Sequence, residues 1–251
     1  MSVWQREARA LRAAVMFFTR LPIPSAANWE PSDLQRAAAY FPLVGWLVGS
    51  VAALVWWLGA HIWPPVVASG VSLAATLLLT GAFHEDGWAD VCDGFGGGTS
   101  RERVLEIMRD SRVGAFGVIG VVVLLGLKWE SVAALPGTWA PPVLIAGHAV
   151  SRAASVSLMA TLPYVREESV KAKPMATSLA GGRLFLAVIT GAAALLLLPV
   201  RTWWAVLAVV AARAVLAWWF KRRIGGYTGD CLGAAQQVSE VVFYLTILAL
   251  V

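Results

Sequence analysis

Asp86, Asp90 and Asp93 stand at i, i+4 and i+7 in the run His84-Glu85-Asp86-Gly87-Trp88-Ala89-Asp90-Val91-Cys92-Asp93-Gly94. At about 100° per residue, this spacing places the three carboxylates within an arc of about 60° on a helix. Like charges stacked turn upon turn repel and destabilise a bare helix. No lysine or arginine lies between Phe83 and Arg101 to offset them, as an ordinary solvated face would provide. A hard divalent cation resolves the conflict, because Mg²⁺ takes carboxylate oxygens together with substrate phosphates. The pattern points to metal-assisted chemistry at a phosphate.

A glycine-rich turn, Gly94-Phe95-Gly96-Gly97-Gly98, leads to a second charged helix, opened by a Thr99-x-x-Glu102 capping box. On it Arg103, Glu106 and Asp110 share a face, with Arg109 and Arg112 alongside. Such a helix can complete a metal site and grip phosphate oxygens bidentately. The glycines are no Walker A loop, since no Gly-Lys-Ser/Thr follows; they serve a hairpin at least as readily as a pyrophosphate cradle. A third polar concentration, Gly225-Gly226-Tyr227-Thr228-Gly229-Asp230-Cys231-Leu232-Gly233, suits either a ligand or tightly packed membrane helices.

Other polar residues carry less. Gln236 and Glu240 take a carboxylate into an apolar run, which is costly and hints at function. His148 and Arg152, one turn apart, read as a buried pair bridging helices. Arg213 reads as a partner of Glu240 or of a backbone carbonyl, unless it faces an anionic substrate. Lys128 and Glu130 lie near enough to the outer interface to snorkel. His84 is a single histidine without a second, a weak ligand signal, and His61 reads as an interface residue. Cys92 and Cys231 lack metal or disulfide spacing.

The elements that position these residues are set by composition. The chain has 251 residues, 59% hydrophobic and 14% charged, with a mean hydropathy of +0.70. Soluble domains carry about 25% charged residues, so a cytosolic globule and a nucleic-acid-binding module are both disfavoured despite the net charge of +5. The expectation is an all-α, polytopic integral membrane helical bundle forming one catalytic domain over 1–251. About seven spans of roughly 20 apolar residues are expected near 41–62, 66–83, 114–135, 141–162, 184–199, 202–220 and 238–251. The acidic stripe is expected to prolong the second span out of the membrane, within a polar catalytic segment at 84–113.

Basic residues give an orientation. Sixteen of the 20, among them Arg6, Arg101, Arg109, Arg166, Lys171, Lys173 and Arg222, fall in one set of connections, and only Arg201 falls in the other. The N-terminus and the polar segments are thereby expected in the cytoplasm. Residues 1–24, with Trp4, Leu11, Val15 and Phe18 at helical spacing against Arg6, Arg9 and Arg12, read as an interfacial amphipathic helix ended by Pro22 and Pro24.

Phe18-Thr19-Arg20-Leu21-Pro22-Ile23-Pro24, Phe41-Pro42-Leu43-Val44-Gly45, the run Phe83 to Gly94, Glu106-Ile107-Met108-Arg109-Asp110-Ser111-Arg112-Val113-Gly114 and Gly226-Tyr227-Thr228-Gly229-Asp230 together resemble the cobalamin synthase family. The blocks lie in the family's order across nearly the whole chain. The resemblance implies an adenosylcobinamide-GDP ribazoletransferase of the bacterial inner membrane. Such an enzyme joins α-ribazole, or its 5′-phosphate, to adenosylcobinamide-GDP with release of GMP, the last assembly step of cobalamin biosynthesis, with Mg²⁺ as cofactor.

On that footing Asp86, Asp90, Asp93 and Asp110 are expected at the metal, with Glu106 as an outer member. Asp93 or Asp110 would take the hydroxyl proton, and Asp90 counts as catalytic. Arg103, Arg109 and Arg112 would hold the pyrophosphate or guanylyl side, and Thr228 and Asp230 a sugar or the ribazole. The lipid bilayer is the implied surrounding, with other late enzymes of the pathway and a second copy of the chain as candidate neighbours. The rivals are a transporter for divalent cations or corrinoids, disfavoured because the acids gather at one membrane face, and a CDP-alcohol-type phosphotransferase. The latter shares D-x-x-D-G, but its following A-R is missing here.

Overall fold

Long apolar runs satisfy their backbone polar groups in lipid only as helices or closed barrels, and this chain takes the helical solution. The computed structural model describes residues 2–24, 33, 36–166, 179 and 181–251. Lys171 and Lys173, counted above for orientation, lie outside them. Among the described residues the helices are α1 (Val3–Phe18), α2 (Phe41–Ala60), α3 (Pro65–Thr80), α4 (Phe83–Gly97), α5 (Arg101–Ile107), α6 (Ala115–Ala133), α7 (Ala140–Ser157), α8 (Gly182–Ala192), α9 (Ala205–Ile224) and α10 (Gly229–Leu250). The one strand-like pairing among them is an isolated bridge between Tyr164 and Tyr227. The protein is a membrane helical bundle.

Among the described residues, five helical stretches are long and apolar enough to cross a membrane: Ala38–Ala60, Ala115–Ala133, Ala140–Ala160, Val200–Ile224 and Gly229–Leu250. The expected count of about seven is approximate by this measure. The stretch at 184–199 forms the shorter Gly182–Leu197. The second expected span does not run straight into the acidic stripe. Gly81 (φ 68°) and Ala82 (φ 54°) are both left-handed, and Pro65–Thr80 and Phe83–Gly97 meet at 90°, a sixth span only if the broken pair counts as one. Two successive left-handed residues cannot continue a right-handed helix, so α4 is an independent element.

α1 carries the Ser2–Gln5 capping box and buries Ala10, Ala13, Ala14 and Phe18 at helical spacing. Its larger apolar residues Val3, Trp4 and Leu11 stay exposed. It ends at Phe18, four residues before Pro22. Phe18 packs on Phe41 (centroids 4.1 Å apart) and stacks on His84 (5.3 Å).

Small residues set the closest approach in the bundle. A Cβ on Gly45 of α2 would lie 2.3 Å from the His148 carbonyl oxygen of α7, and one on Gly49 would lie 2.7 Å from Ile145 Cα. This G-x-x-x-G face lets two backbones touch. Gly45→Ala is expected to cost about 1–3 kcal/mol, the usual range for overpacking a tight contact, read as a lower thermal midpoint in detergent. An unchanged midpoint would contradict the packing.

Candidate active site

α4 presents its acidic residues in unequal ways. Asp86 is exposed, Asp90 half-buried and Asp93 buried. Opposite Asp86 and Asp90 lies the first turn of α10, brought close because position 87 has no side chain: a Cβ there would sit 3.0 Å from Asp230 Cα. Asp230 thus joins Asp86 near Asp90, and these carboxylates, with Asp93 and the Arg166 guanidinium, are in electrostatic range of Asp90. Arg166 donates to Asp230 Oδ2 at 2.5 Å and to the Met108 carbonyl at 3.0 Å. Its loop is held by Tyr227 N–H to the Pro163 carbonyl (2.9 Å) and Val165 N–H to the Tyr227 carbonyl (3.0 Å). Sequence reasoning counted Arg166 only as one more basic loop residue, because nothing periodic or local marks it.

Asp93 makes contacts that its spacing does not announce. Its Oδ2 accepts from Gly114 N–H at 2.6 Å and its Oδ1 from Gly117 N–H at 2.8 Å, so both oxygens are engaged at the start of α6. Gly114, the N-cap residue, offers no side-chain cap of its own, and Asp93 supplies one from another helix, where a negative charge is also favoured by the helix dipole. Gly114 and Gly117 are glycines for a steric reason: a Cβ on either would fall 2.5 or 2.3 Å from an Asp93 oxygen. Thr228, expected at a sugar, is fully buried. It caps α10 through Cys231 N–H (3.3 Å) and donates to Asp230 Oδ2 (3.3 Å).

The second charged helix is shorter than its sequence pattern. The N-cap is Ser100, which accepts from Arg103 N–H at 3.2 Å, in place of the expected Thr99 box. The helix ends at Ile107, leaving Asp110 in the following turn, off the face it was expected to share with Arg103 and Glu106. There Arg112 binds it at 2.7 and 3.1 Å and holds its carboxyl down at about 2. Arg103 pairs with Glu106 at 2.8 Å, both exposed. The glycine run is largely helical, since α4 continues to Gly97, and Arg223 binds the carbonyls of Phe95 (2.8 Å) and Gly98 (2.7 Å) at its end.

Two open cavities flank α5. One of about 580 Å³ is lined by Asp93, Arg103, Glu106, Asp110, Arg112 and Phe116, among others. The other, about 310 Å³, is lined by Arg101, Glu102, Leu105, Glu106, Arg109 and Val165. Three of the five expected ligands, Asp93, Glu106 and Asp110, thus face the larger cavity, while Asp86 and Asp90 line neither. Among the described residues no group of three or more His, Cys, Asp or Glu side chains is set to hold a metal ion. Mg²⁺ needs less than that, since one or two carboxylates with substrate phosphates and water suffice. Asp86 and Asp90, one turn apart and without a lysine or arginine of their own helix, fit this smaller demand.

The family model described as cobalamin-5-phosphate synthase matches residues 10–248. The chain belongs to the cobalamin-5-phosphate synthase family. It is 46% identical to the adenosylcobinamide-GDP ribazoletransferase of Leptothrix cholodnii over 97% of this chain and 96% of that one. It is 48% identical to the protein of the same name from Ralstonia pickettii, over 98% and 96%, and 42% identical to that of Vibrio parahaemolyticus, over 94% and 90%. No solved structure matches the chain. The family blocks converge in the fold: α4 and the start of α10 bring Asp86, Asp90 and Asp230 together, and the Glu106–Gly114 block closes over the end of α4.

Proposed function

We propose that this chain is an adenosylcobinamide-GDP ribazoletransferase, joining α-ribazole or its 5′-phosphate to adenosylcobinamide-GDP and releasing GMP. The observation that carries this reading is the match to proteins of that name from end to end, with the family's acidic run placed against Asp230 and Arg166. The ribazole 3′-hydroxyl attacks the phosphorus joined to cobinamide, a new P–O bond forms, and the bond to GMP breaks. Such transfers depend mainly on positioning and on neutralising phosphoryl charge.

Asp86 and Asp90 are the residues to hold Mg²⁺. When bound there, it would supply positive charge against the pyrophosphate oxygens. Arg166, in electrostatic range of Asp90, would add its charge to the binding of a phosphate oxygen. Asp230 would then accept the hydroxyl proton through Oδ1, because Arg166 and Thr228 both bind its Oδ2, whereas both oxygens of Asp93 and both of Asp110 are engaged. The basic loops lie in the cytoplasm and the bundle in the inner membrane on this reading, following the charge asymmetry.

A substrate panel tests it. The purified protein should release GMP from adenosylcobinamide-GDP with ribazole 5′-phosphate, stop on EDTA treatment and resume with Mg²⁺, and should leave CDP-alcohols untouched. Turnover of a CDP-alcohol in place of adenosylcobinamide-GDP would overturn it. Arg166→Gln is expected to raise KM for adenosylcobinamide-GDP about tenfold, the equivalent of one charge-assisted hydrogen bond of about 1.5 kcal/mol, with KM for ribazole phosphate little changed. An equal rise in both would contradict the placement of Arg166.

A further inference from the structure

A second polar assembly lies inside the bundle, beneath α4. Glu240 of α10 is 1% exposed and Lys128 of α6 is 4% exposed, so the expected snorkelling of Lys128 to an interface does not occur. Lys128 Nζ lies 3.0 Å from Glu240 Oε1 and 3.8 Å from Glu85 Oε1, and donates to Gln237 Oε1 at 3.1 Å. Gln237 Nε2 donates in turn to Glu85 Oε1 at 2.7 Å. Glu240 also faces His148 Nδ1 (3.3 Å), Gln236 Nε2 (2.6 Å) and the Tyr244 hydroxyl (3.0 Å). Arg152, deeply buried, donates to the His148 carbonyl at 3.0 Å within α7, so of the expected bridging pair it is His148, through Glu240, that reaches another helix. Arg213 binds a backbone carbonyl, that of Ser157, at 2.9 Å, the second of its two expected partners.

Ionisable groups buried between membrane helices are costly and point to function. This set touches α4 through one side chain, Glu85, the immediate neighbour of Asp86. α4 is thereby tied to α6 at both ends: Glu85 to Lys128 directly and through Gln237, Asp93 to the amides of Gly114 and Gly117. Of the four acids in the run, two are moorings, and two, Asp86 and Asp90, have no hydrogen-bond or ion-pair partner among the described residues. Glu85 and Asp86 are about 100° apart around the helix, so wherever Glu85 is held, the latter pair turns with it.

We propose that Lys128 is a positioning residue for the transfer reaction, fixing the roll of α4 through Glu85 and so the direction in which Asp86 and Asp90 point. The proposal presupposes the transfer reaction above, and wild-type GMP release in the same experiment separates failure of one from failure of the other.

The test is steady-state kinetics of Lys128→Met, Lys128→Arg and wild type in the same detergent, with thermal unfolding followed by tryptophan fluorescence. Lys128→Met is expected to keep a cooperative transition, to lose tenfold or more in kcat, and to hold KM for both substrates within threefold. Mn²⁺, followed by electron paramagnetic resonance without substrate, should bind it at least threefold more weakly. Lys128→Arg, which can still reach both carboxylates, should recover most of the rate. A folded Lys128→Met with wild-type kcat and Mn²⁺ affinity overturns the proposal. If Lys128→Met does not fold, because the buried Glu240 loses its lysine, Glu85→Gln decides. It keeps the Gln237 contact and the Lys128–Glu240 pair but loses the ionic tether, and wild-type kcat in that variant equally overturns the proposal.

Discussion

Asp90→Ala is expected to reduce kcat for GMP release by about a hundred- to a thousandfold, the usual cost of removing one preorganised electrostatic group at a reacting phosphate or acyl centre. The same substitution is expected to leave thermal stability unchanged or slightly raised. The Asp90 carboxylate receives no hydrogen bond from the described residues and has three carboxylates, Asp86, Asp93 and Asp230, in electrostatic range against a single guanidinium. Removing it breaks no contact and relieves repulsion. Loss of function with retained or improved stability is what a site held together against its own charge should show. Kinetics and a melting curve on the same preparation check both halves, and a destabilised but active Asp90→Ala would contradict them.

Asp93→Ala should behave in the opposite way. Two backbone amides at the mouth of α6 lose a charged acceptor, and each such bond contributes about 1.5–3 kcal/mol. The expected result is a loss of about 3 kcal/mol or more, seen as a large fall in the thermal midpoint and in the yield of folded protein. Asp93→Asn keeps one acceptor and should fall between. Activity per folded molecule should drop far less than in Asp90→Ala. An Asp93→Ala protein as stable as wild type but inert would return Asp93 to the reacting centre, where the spacing of the acidic run had placed it.

The contrast between these aspartates shows what the sequence can and cannot carry. The membrane bundle, the amphipathic first helix and the acidic run on a helix follow from local composition and periodicity. The family follows from the blocks quoted in order. The i, i+4, i+7 pattern says that three carboxylates share a helical face, but not what faces each of them. That depended on α6 beginning beside Asp93 and on Gly87 admitting Asp230, both long-range facts. The same holds for Arg166, more than 50 residues from Asp230 and bound to it, and for Lys128, whose place in an apolar run suggested the interface until Glu240 and Glu85 were seen around it. Asp110 was misplaced for a local reason: α5 stops at Ile107, and Arg112, two residues on from Asp110, captures it.

The most direct test of the central claim is a product assay on wild type beside the Asp86→Ala/Asp90→Ala double variant, with adenosylcobinamide-GDP, ribazole 5′-phosphate and Mg²⁺. Wild type should form GMP and the joined corrinoid one for one, and the folded double variant should form neither. Equal product from both proteins would contradict the assignment of the reacting centre to these two carboxylates.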